Sequence, residues 1–527
     1  MRRSSFHTDF SDPSCLTKPE SKTIRTTIIA TITDSSITAV DIQKMLEAGM
    51  NAVKFKLSHT TKGDKLQILS KLDKACLKCC TKYGVPDWPV STSIELKTCI
   101  VKTGLLGSDK DYIYVKEGSQ VILTNNLRDY NTCNEYKIFV DNACLTSEVN
   151  IHTEISIGQE EIIVICTEIV DEKSIQCLVT KGGRLFDLDY VSMRSVIRKR
   201  PTLGKIDFQI ITFALQYQVH MLIINYVRHA ETLKQIKKFI GPVVKRPFLI
   251  SGICTQQGLD NIDEIAEESD AILLSREFLP FELDASKRLR LHLIQKWLGA
   301  KCQAFGKPYF LSGDILQDTM SNGYYTDREV SDATNALFDG VGGFILKNYH
   351  DIDCALEALN TLNTICQSTE TYTDSKNSFL RVVDEIKLPL NAAEASMLAC
   401  VIAAYQCQAG AIIIPTVSGT TARTLLRMNP DCLIITVCKH IRVNRLLKSC
   451  KNVVPLVYVE KPHNKWIYNV KAKVVFAVDY AVHRGWLKYG NTYVTLQRGR
   501  EESSYCDMVR ISPVTNYKRP TVECHEK

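Results

Sequence analysis

The chain has 527 residues, 45% hydrophobic and 23% charged, with 25 Gly, 16 Pro and a net charge of +7. These proportions exclude a collagen-like, low-complexity or wholly disordered chain, and at roughly 100–200 residues per domain the length suggests about three domains. The excess of 65 basic over 58 acidic residues is thin for this length and forms no basic stripe with aromatic platforms, so no nucleic-acid partner is expected.

No apolar run approaches the roughly 20 residues needed to cross a membrane. The opening segment MRRSSFHTDF has two arginines but no apolar core behind them, so it does not read as a secretory leader. A cytoplasmic protein without a membrane partner is expected. The 20 cysteines are scattered through apolar segments, where Cys packs as a small hydrophobe. The tightest group, Cys76, Cys79 and Cys80 in CLKCC, lacks a second pair at zinc spacing and is predicted to pack along a helix.

In chain order, residues 1–22 are polar and aperiodic and are expected to form a flexible tail. Eight short apolar runs follow: TTIIATI (26–32), AVKFKL (52–57), PVSTSI (89–94), MLIIN (221–225), PFLIS (247–251), AILLS (271–275), PYFLS (308–312) and GFILK (343–347). Amphipathic stretches such as AVDIQKMLEAG (39–49) and SDATNALFDG (331–340) lie between most of them. Eight alternating strand and helix units predict a closed parallel (β/α)8 barrel, the TIM-barrel architecture. Between the third and fourth runs, segments such as QVILT (120–124), EEIIVIC (160–166) and SIQCLV (174–179) change to period-2 alternation. They predict a small β-barrel domain inserted on the face where barrel enzymes place their active sites. The last region opens with a predicted helix at 391–408, alternates strands and helices, and ends in strand-like KVVFAV (473–478), TYVTLQ (492–497) and MVRISPV (508–514). The expected domains are thus a barrel over 23–96 and 200–368, an inserted β lid over 97–199, and a C-terminal α/β domain over 369–527.

Three motifs carry a resemblance to the pyruvate kinase family. GMNAVKFKLSH (49–59) resembles the family's Gly-Met-Asn-Val-Ala-Arg-Leu-Asn-Phe-Ser-His. YTDREVSDATNALFDG (325–340) is similar to Pro-Thr-Arg-Ala-Glu-x-Ser-Asp-Val-Ala-Asn-Ala-x-x-Asp-Gly, and TVSGTTAR (416–423) to Thr-x-Ser-Gly-Arg-x-Ala. The resemblance runs from about residue 23 to 515 in the family's order. It implies glycolytic phosphoryl transfer between phosphoenolpyruvate and ADP, giving pyruvate and ATP, with Mg²⁺ and K⁺ as cofactors. It also implies a homotetramer or a hetero-oligomer with a paralogue.

Carried over residue by residue, the resemblance exposes substitutions. Gly252 in SGICT (251–255) stands at the family's catalytic Lys, and Cys254 at its first Mg²⁺-binding Glu. In SREFLP (275–280) Arg276 persists while Phe278 replaces the second metal carboxylate, and in SGDIL (312–316) Gly313 replaces the family's Thr. Glu277 and Asp314 are the neighbouring carboxylates that would have to restore a Mg²⁺ site; a thiolate is a poor ligand for that hard cation. The K⁺ positions fall on Lys56, Ser58, Glu95 and Leu96, which suggests that an ammonium fills the cation's place by pairing Lys56 with Glu95. On the nucleotide side, arginines have become Lys54 and Lys102, which keep the charge but lose the bidentate fork, and His59 is retained. Leu188 and Asp189 replace paired lysines of the lid. In the C-terminal domain Thr416, Ser418, Thr420 and Thr421, with Trp466 and Lys473, fall on a sugar-phosphate effector pocket, against which Glu501 and Glu502 are placed to repel phosphate. The expectation is a catalytically impaired or inactive family member; the alternative is a non-catalytic subunit that binds a ligand or assembles with an active pyruvate kinase.

Overall fold

The computed structural model describes residues 24–32, 37–55, 62–98, 100–107, 111–194, 196, 201–241, 246–347, 349–373, 375–386, 388–460, 463 and 465–515. The first barrel strands are β1 (Thr27–Ile32), β2 (Ala52–Phe55) and β3 (Ser91–Glu95). An inserted block follows, with β4 (Ile113–Val115), β5 (Gln120–Thr124), β6 (Lys137–Phe139), β7 (Glu154–Ile157), β8 (Ile162–Ile169), β9 (Ser174–Lys181), β10 (Gly183–Leu185) and β11 (Val191–Met193). The barrel resumes with β12 (Met221–Ile224), β13 (Phe248–Ile253), β14 (Ala271–Ser275), β15 (Tyr309–Ser312) and β16 (Gly343–Leu346).

These eight strands close in the order β1-β16-β15-β14-β13-β12-β3-β2, every pairing parallel. Their near-continuous Ile, Val and Leu runs are what a strand needs when it is buried on both faces. One set of side chains, including Ile29, Ile223, Ile250, Leu273, Phe310 and Ile345, fills the barrel interior. The other set, including Ile28, Val53, Leu222, Leu249 and Leu274, packs against the surrounding helices. All eight predicted runs are barrel strands.

The inserted block has its own core, with Val121, Ile138, Ile155, Val164 and Val191 among its buried members. It pairs as a six-stranded sheet in the order β11-β7-β8-β9-β5-β6, with β4 and β10 as a separate ribbon. It is clasped to the barrel rim. The Tyr190 hydroxyl donates to Glu282 Oε1 at 2.7 Å, the Ser192 hydroxyl donates to the Phe281 carbonyl, and Arg288 pairs with Glu160.

The C-terminal sheet runs β19-β18-β17-β20-β21, with β17 (Ala411–Pro415), β18 (Leu433–Cys438), β19 (Val453–Val457), β20 (Thr492–Gln497) and β21 (Met508–Pro513); only the β20–β21 pair is antiparallel. The predicted helix at 391–408 is observed over Ala392–Gln406. KVVFAV is a correction: it lies inside the helix Trp466–His483, where Val470, Val474, Ala477 and Ala481 form the buried stripe. The β-branched run suits a strand locally, but packing of that stripe against the sheet decides for helix. Cys76, Cys79 and Cys80 lie on the helix Lys62–Tyr83, the first two buried, as the packing reading expects.

Candidate active site

The substituted family positions meet at the C-terminal ends of the barrel strands, the end at which barrels of this kind present chemistry. Lys54 ends β2, Glu95 ends β3, Asn225 follows β12, Gly252 and Cys254 end β13, Arg276 to Phe278 follow β14, Gly313 follows β15 and Lys347 follows β16. Of these, Lys54, Glu95, Glu277, Phe278 and Lys347 line a cleft of about 720 Å³ together with Lys102 and Asp189 from the lid side.

The cation region closes on itself. Lys54, whose side chain is 3% exposed, places Nζ 2.7 Å from Glu95 Oε2. Asn225 donates its amide to the other oxygen, Glu95 Oε1. An ammonium at Glu95 is thus supplied by Lys54; the expected Lys56–Glu95 pairing falls on a residue outside the described ones. Lys56, Ser58 and His59 lie outside the described residues. Leu96 is buried and its side chain offers no oxygen.

Gly252 sits in a crowded place where a larger residue would have to displace the Asn225 side chain. A Cβ at this position would lie 2.4 Å from Asn225 Oδ1, 3.0 Å from Asn225 Cα and 3.2 Å from the Ile224 carbonyl. Next to it Cys254 is fully buried, with Tyr226, Tyr190, Ile100 and Phe278 in one apolar cluster. The Tyr226 amide donates to its sulfur at 3.4 Å, and burial pushes the thiol up to about 12. Phe278 packs at 5.5 Å from both the Tyr190 and Tyr226 rings, so aromatic carbon stands where the resemblance puts the second carboxylate.

The neighbouring carboxylates do not complete a Mg²⁺ donor set. Glu277 forms an ion pair with Lys347, whose Nζ also lies 5.4 Å from the centre of the Phe278 ring. Asp314 is exposed, in a loop where Gly313 (φ +88°), Asp314 (φ +55°) and Leu316 (φ +49°) all take left-handed backbone. A Cβ on Gly313 would come 2.5 Å from the Glu277 amide nitrogen, so the family's Thr does not fit this loop. A neutral buried thiol, a phenyl ring and a carboxylate already paired with lysine do not suit a hard divalent cation.

Arg276 is a brace. It grips Asp332 with two hydrogen bonds of 2.7 and 2.6 Å and also donates to the carbonyls of Gly313 at 3.2 Å and Asp314 at 3.3 Å. Lys102 and Asp189 both face the cleft from the lid side, and burial raises the Asp189 carboxyl above its ordinary range. The Phe186 amide donates to Asp189 at 2.7 Å, and Leu188 adopts φ +57°. The lid thus offers a carboxylate where the resemblance expects lysines.

In the C-terminal domain Thr416 accepts from the Gly419 amide at 3.0 Å, Ser418 and Thr420 share a 3.0 Å hydrogen bond, and the Thr421 hydroxyl lies 3.6 Å from Cys506 Sγ. Arg498 sits 5.6 Å over the Trp466 ring and donates to the carbonyls of Glu501 and Ser503 at 2.9 and 3.1 Å. Burial holds Lys473 below the ordinary lysine value, and Lys439 and Arg498 act in the same direction. Glu501 and Glu502 are exposed. Cys438 Sγ lies 3.5 Å from the Val417 carbonyl of the same loop.

Sequence reasoning missed Asn225 and Lys347. Both end predicted strand runs, MLIIN and GFILK, and that position in a barrel was the available signal.

Residues 23–349 match the pyruvate kinase barrel domain and residues 394–512 the pyruvate kinase alpha/beta domain. Pyruvate kinase 2 of Saccharomyces cerevisiae is 27% identical over 495 residues, covering 93% of this chain and 95% of that protein. Pyruvate kinase of Candida albicans is 26% identical, over 94% and 96% of the two chains. Human pyruvate kinase PKLR is 25% identical, over 93% and 85%. On the extent of these matches, the chain belongs to the pyruvate kinase family.

Proposed function

We propose that this chain is a glycolytic pyruvate kinase-like protein in which transfer of a phosphoryl group from phosphoenolpyruvate to ADP is lost or severely impaired. The observation that carries the reading is Asn225 packed over Gly252. Phosphoryl transfer depends on cations and metal ions held against the moving charge. Here the space a lysine would need is filled by an amide, and the two carboxylate positions are Cys254 and Phe278 within an aromatic cluster. Loss of Mg²⁺ dependence follows from the same residues. Occupation of the K⁺ place by the Lys54 ammonium is supported by its 2.7 Å contact with Glu95.

A non-catalytic role as a ligand-binding or interaction subunit, assembled with itself or with an active pyruvate kinase, is the second reading. Leu289, Leu293 and Trp297 support it: they are 82%, 52% and 42% exposed and spaced four residues apart beside and along the helix Leu291–Ala304. An apolar stripe of that kind favours a protein partner. Sugar-phosphate binding at Thr416, Ser418, Thr420, Thr421, Trp466 and Lys473 belongs to this reading, with Glu501 and Glu502 opposing it. A cytoplasmic location fits both; among the described residues no helix is long and apolar enough to cross a membrane.

The test is a coupled assay of pyruvate formation from phosphoenolpyruvate and ADP, with Mg²⁺ or Mn²⁺, with and without K⁺. Turnover is expected at background. Turnover at an ordinary kinase rate overturns the proposal, and co-sedimentation with an active pyruvate kinase distinguishes the subunit reading.

A further inference from the structure

Buried cysteines in this chain pack as small hydrophobes, with one departure. Among the described residues every other buried cysteine belongs to an apolar core, from Cys76 and Cys366 around the barrel to Cys177 in the inserted sheet and Cys400 in the C-terminal domain. Cys354 is 6% exposed and belongs to none of them. It lies on the first turn of the helix Ile352–Thr369, where its neighbours Ala355, Ala358 and Leu359 do join the barrel core.

The sulfur meets polar groups instead. A ring nitrogen of His350, a carboxylate oxygen of Asp351 and Cys354 Sγ all lie within 4.8 Å of one another. The loop that carries them is tied down, since the His350 amide donates to the Met320 carbonyl at 2.9 Å. Asp351 caps the helix through Oδ1, which accepts from the Cys354 amide at 2.8 Å, while Oδ2 stands 3.3 Å from His350 Nδ1. The cluster follows β16 on the active-site face of the barrel, but none of its three residues lines the candidate active-site cleft.

One sulfur, one nitrogen and one oxygen donor thus converge on a small volume. Tetrahedral Zn²⁺ with its usual bond lengths sets such atoms roughly 3.3–3.6 Å apart. The His350–Asp351 spacing already fits, and rotation of the exposed imidazole closes the remainder. We propose that His350, Asp351 and Cys354 bind Zn²⁺, with water in the fourth position. The thiolate selects against the hard cations Mg²⁺ and Ca²⁺. On binding, the Cys354 S–H bond breaks, its proton leaves to solvent, and the sulfur electron pair forms the Zn–S bond. The positive end of the helix opposes a cation and the carboxylates of Asp351 and exposed Asp353 offset it, so the affinity is expected to fall below that of a four-ligand structural site.

The test is titration of the chelator-treated full chain with Co²⁺, a spectroscopic stand-in for Zn²⁺, followed by competition for Zn²⁺ against a chromogenic chelator. Charge transfer from thiolate to cobalt in the near ultraviolet reports the sulfur ligand. The variants are Cys354→Ser, His350→Gln and Asp351→Asn, the last keeping a helix-capping side chain, with Cys80→Ser as the control for a half-buried thiol elsewhere. Saturable binding is expected, with the charge-transfer band absent in Cys354→Ser. Zn²⁺ affinity is expected to fall about tenfold or more in His350→Gln and in Asp351→Asn, and to stay unchanged in Cys80→Ser. No saturable binding, or a band that survives Cys354→Ser, overturns the proposal. So does binding that His350→Gln or Asp351→Asn leaves unchanged, or that Cys80→Ser abolishes, each of which shows an adventitious ion only. If Asp351→Asn fails to fold by circular dichroism, the other two variants decide.

Discussion

The Asn225 side chain occupies the volume above Gly252: a Cβ on the glycine would stand 2.4 Å from Asn225 Oδ1, while the amide nitrogen of Asn225 is bound to Glu95. Restoring a lysine therefore takes more than one substitution. Gly252→Lys alone is expected to lose about 1–3 kcal/mol of stability through overpacking, with no gain in turnover. Asn225→Ala in the same chain is expected to recover part of that loss. Urea denaturation of the two single variants and the double variant reads the coupling; simple additivity would show that the side chains do not compete.

The Lys54–Glu95 pair is nearly buried, at 3% and 16% side-chain exposure. Lys54→Met is expected to cost about 3 kcal/mol, because it removes the buried ammonium from a carboxylate with little access to water. Lys54→Met combined with Glu95→Leu is expected to cost less than Lys54→Met alone. With its own ammonium in place, the intact chain is expected to melt at the same temperature in K⁺ as in Na⁺ buffer. A melting point that rises only with K⁺ would show that the pair does not fill a cation site.

Cys254 is held as a neutral thiol, with burial pushing its pKa from 9.0 up to about 12. Because the folded value lies above the unfolded one, its contribution to stability is complete below pH 9 and lost as the pH rises toward 12. At pH 8 the folded chain is expected to resist iodoacetamide at Cys254, as peptide mapping by mass spectrometry can follow. Phe278→Ala, which opens the aromatic cluster, is expected to speed that alkylation several-fold.

His220 behaves in the opposite sense. Burial, with Arg445 and Arg442 nearby, lowers its pKa from 6.5 to about 3. The fold therefore holds the imidazole neutral, and its contribution is complete above pH 6.5 and lost as the pH falls toward 3. In His220→Phe the fall in stability across that window is expected to be shallower, measured by urea midpoints at stepped pH. Equal slopes in the two proteins would place the acid sensitivity elsewhere.

The eight barrel strands were legible because a parallel strand buried on both faces must be written as a short unbroken apolar run, and MLIIN or AILLS has little other use. The proposed loss of chemistry rests on residue type in the same way: Gly252, Cys254, Phe278 and Gly313 lack the charge or hard oxygen donors that the resemblance implies at those positions. KVVFAV was not legible, since its β-branched residues fit a strand locally and only the stripe buried against the C-terminal sheet makes it helical.

Sequence alone determined the order of the domains and the barrel, because these depend on residue type and on periodicity along the chain. Tertiary structure decided that Lys54 meets Glu95, that Asn225 fills the place above Gly252, that Arg276 is committed to Asp332, and that His220 and Arg423 face one cavity. Those pairings join residues brought together by barrel closure and domain packing. No local pattern encodes a contact between side chains on different strands, since it depends on where the closed sheet sets each strand end.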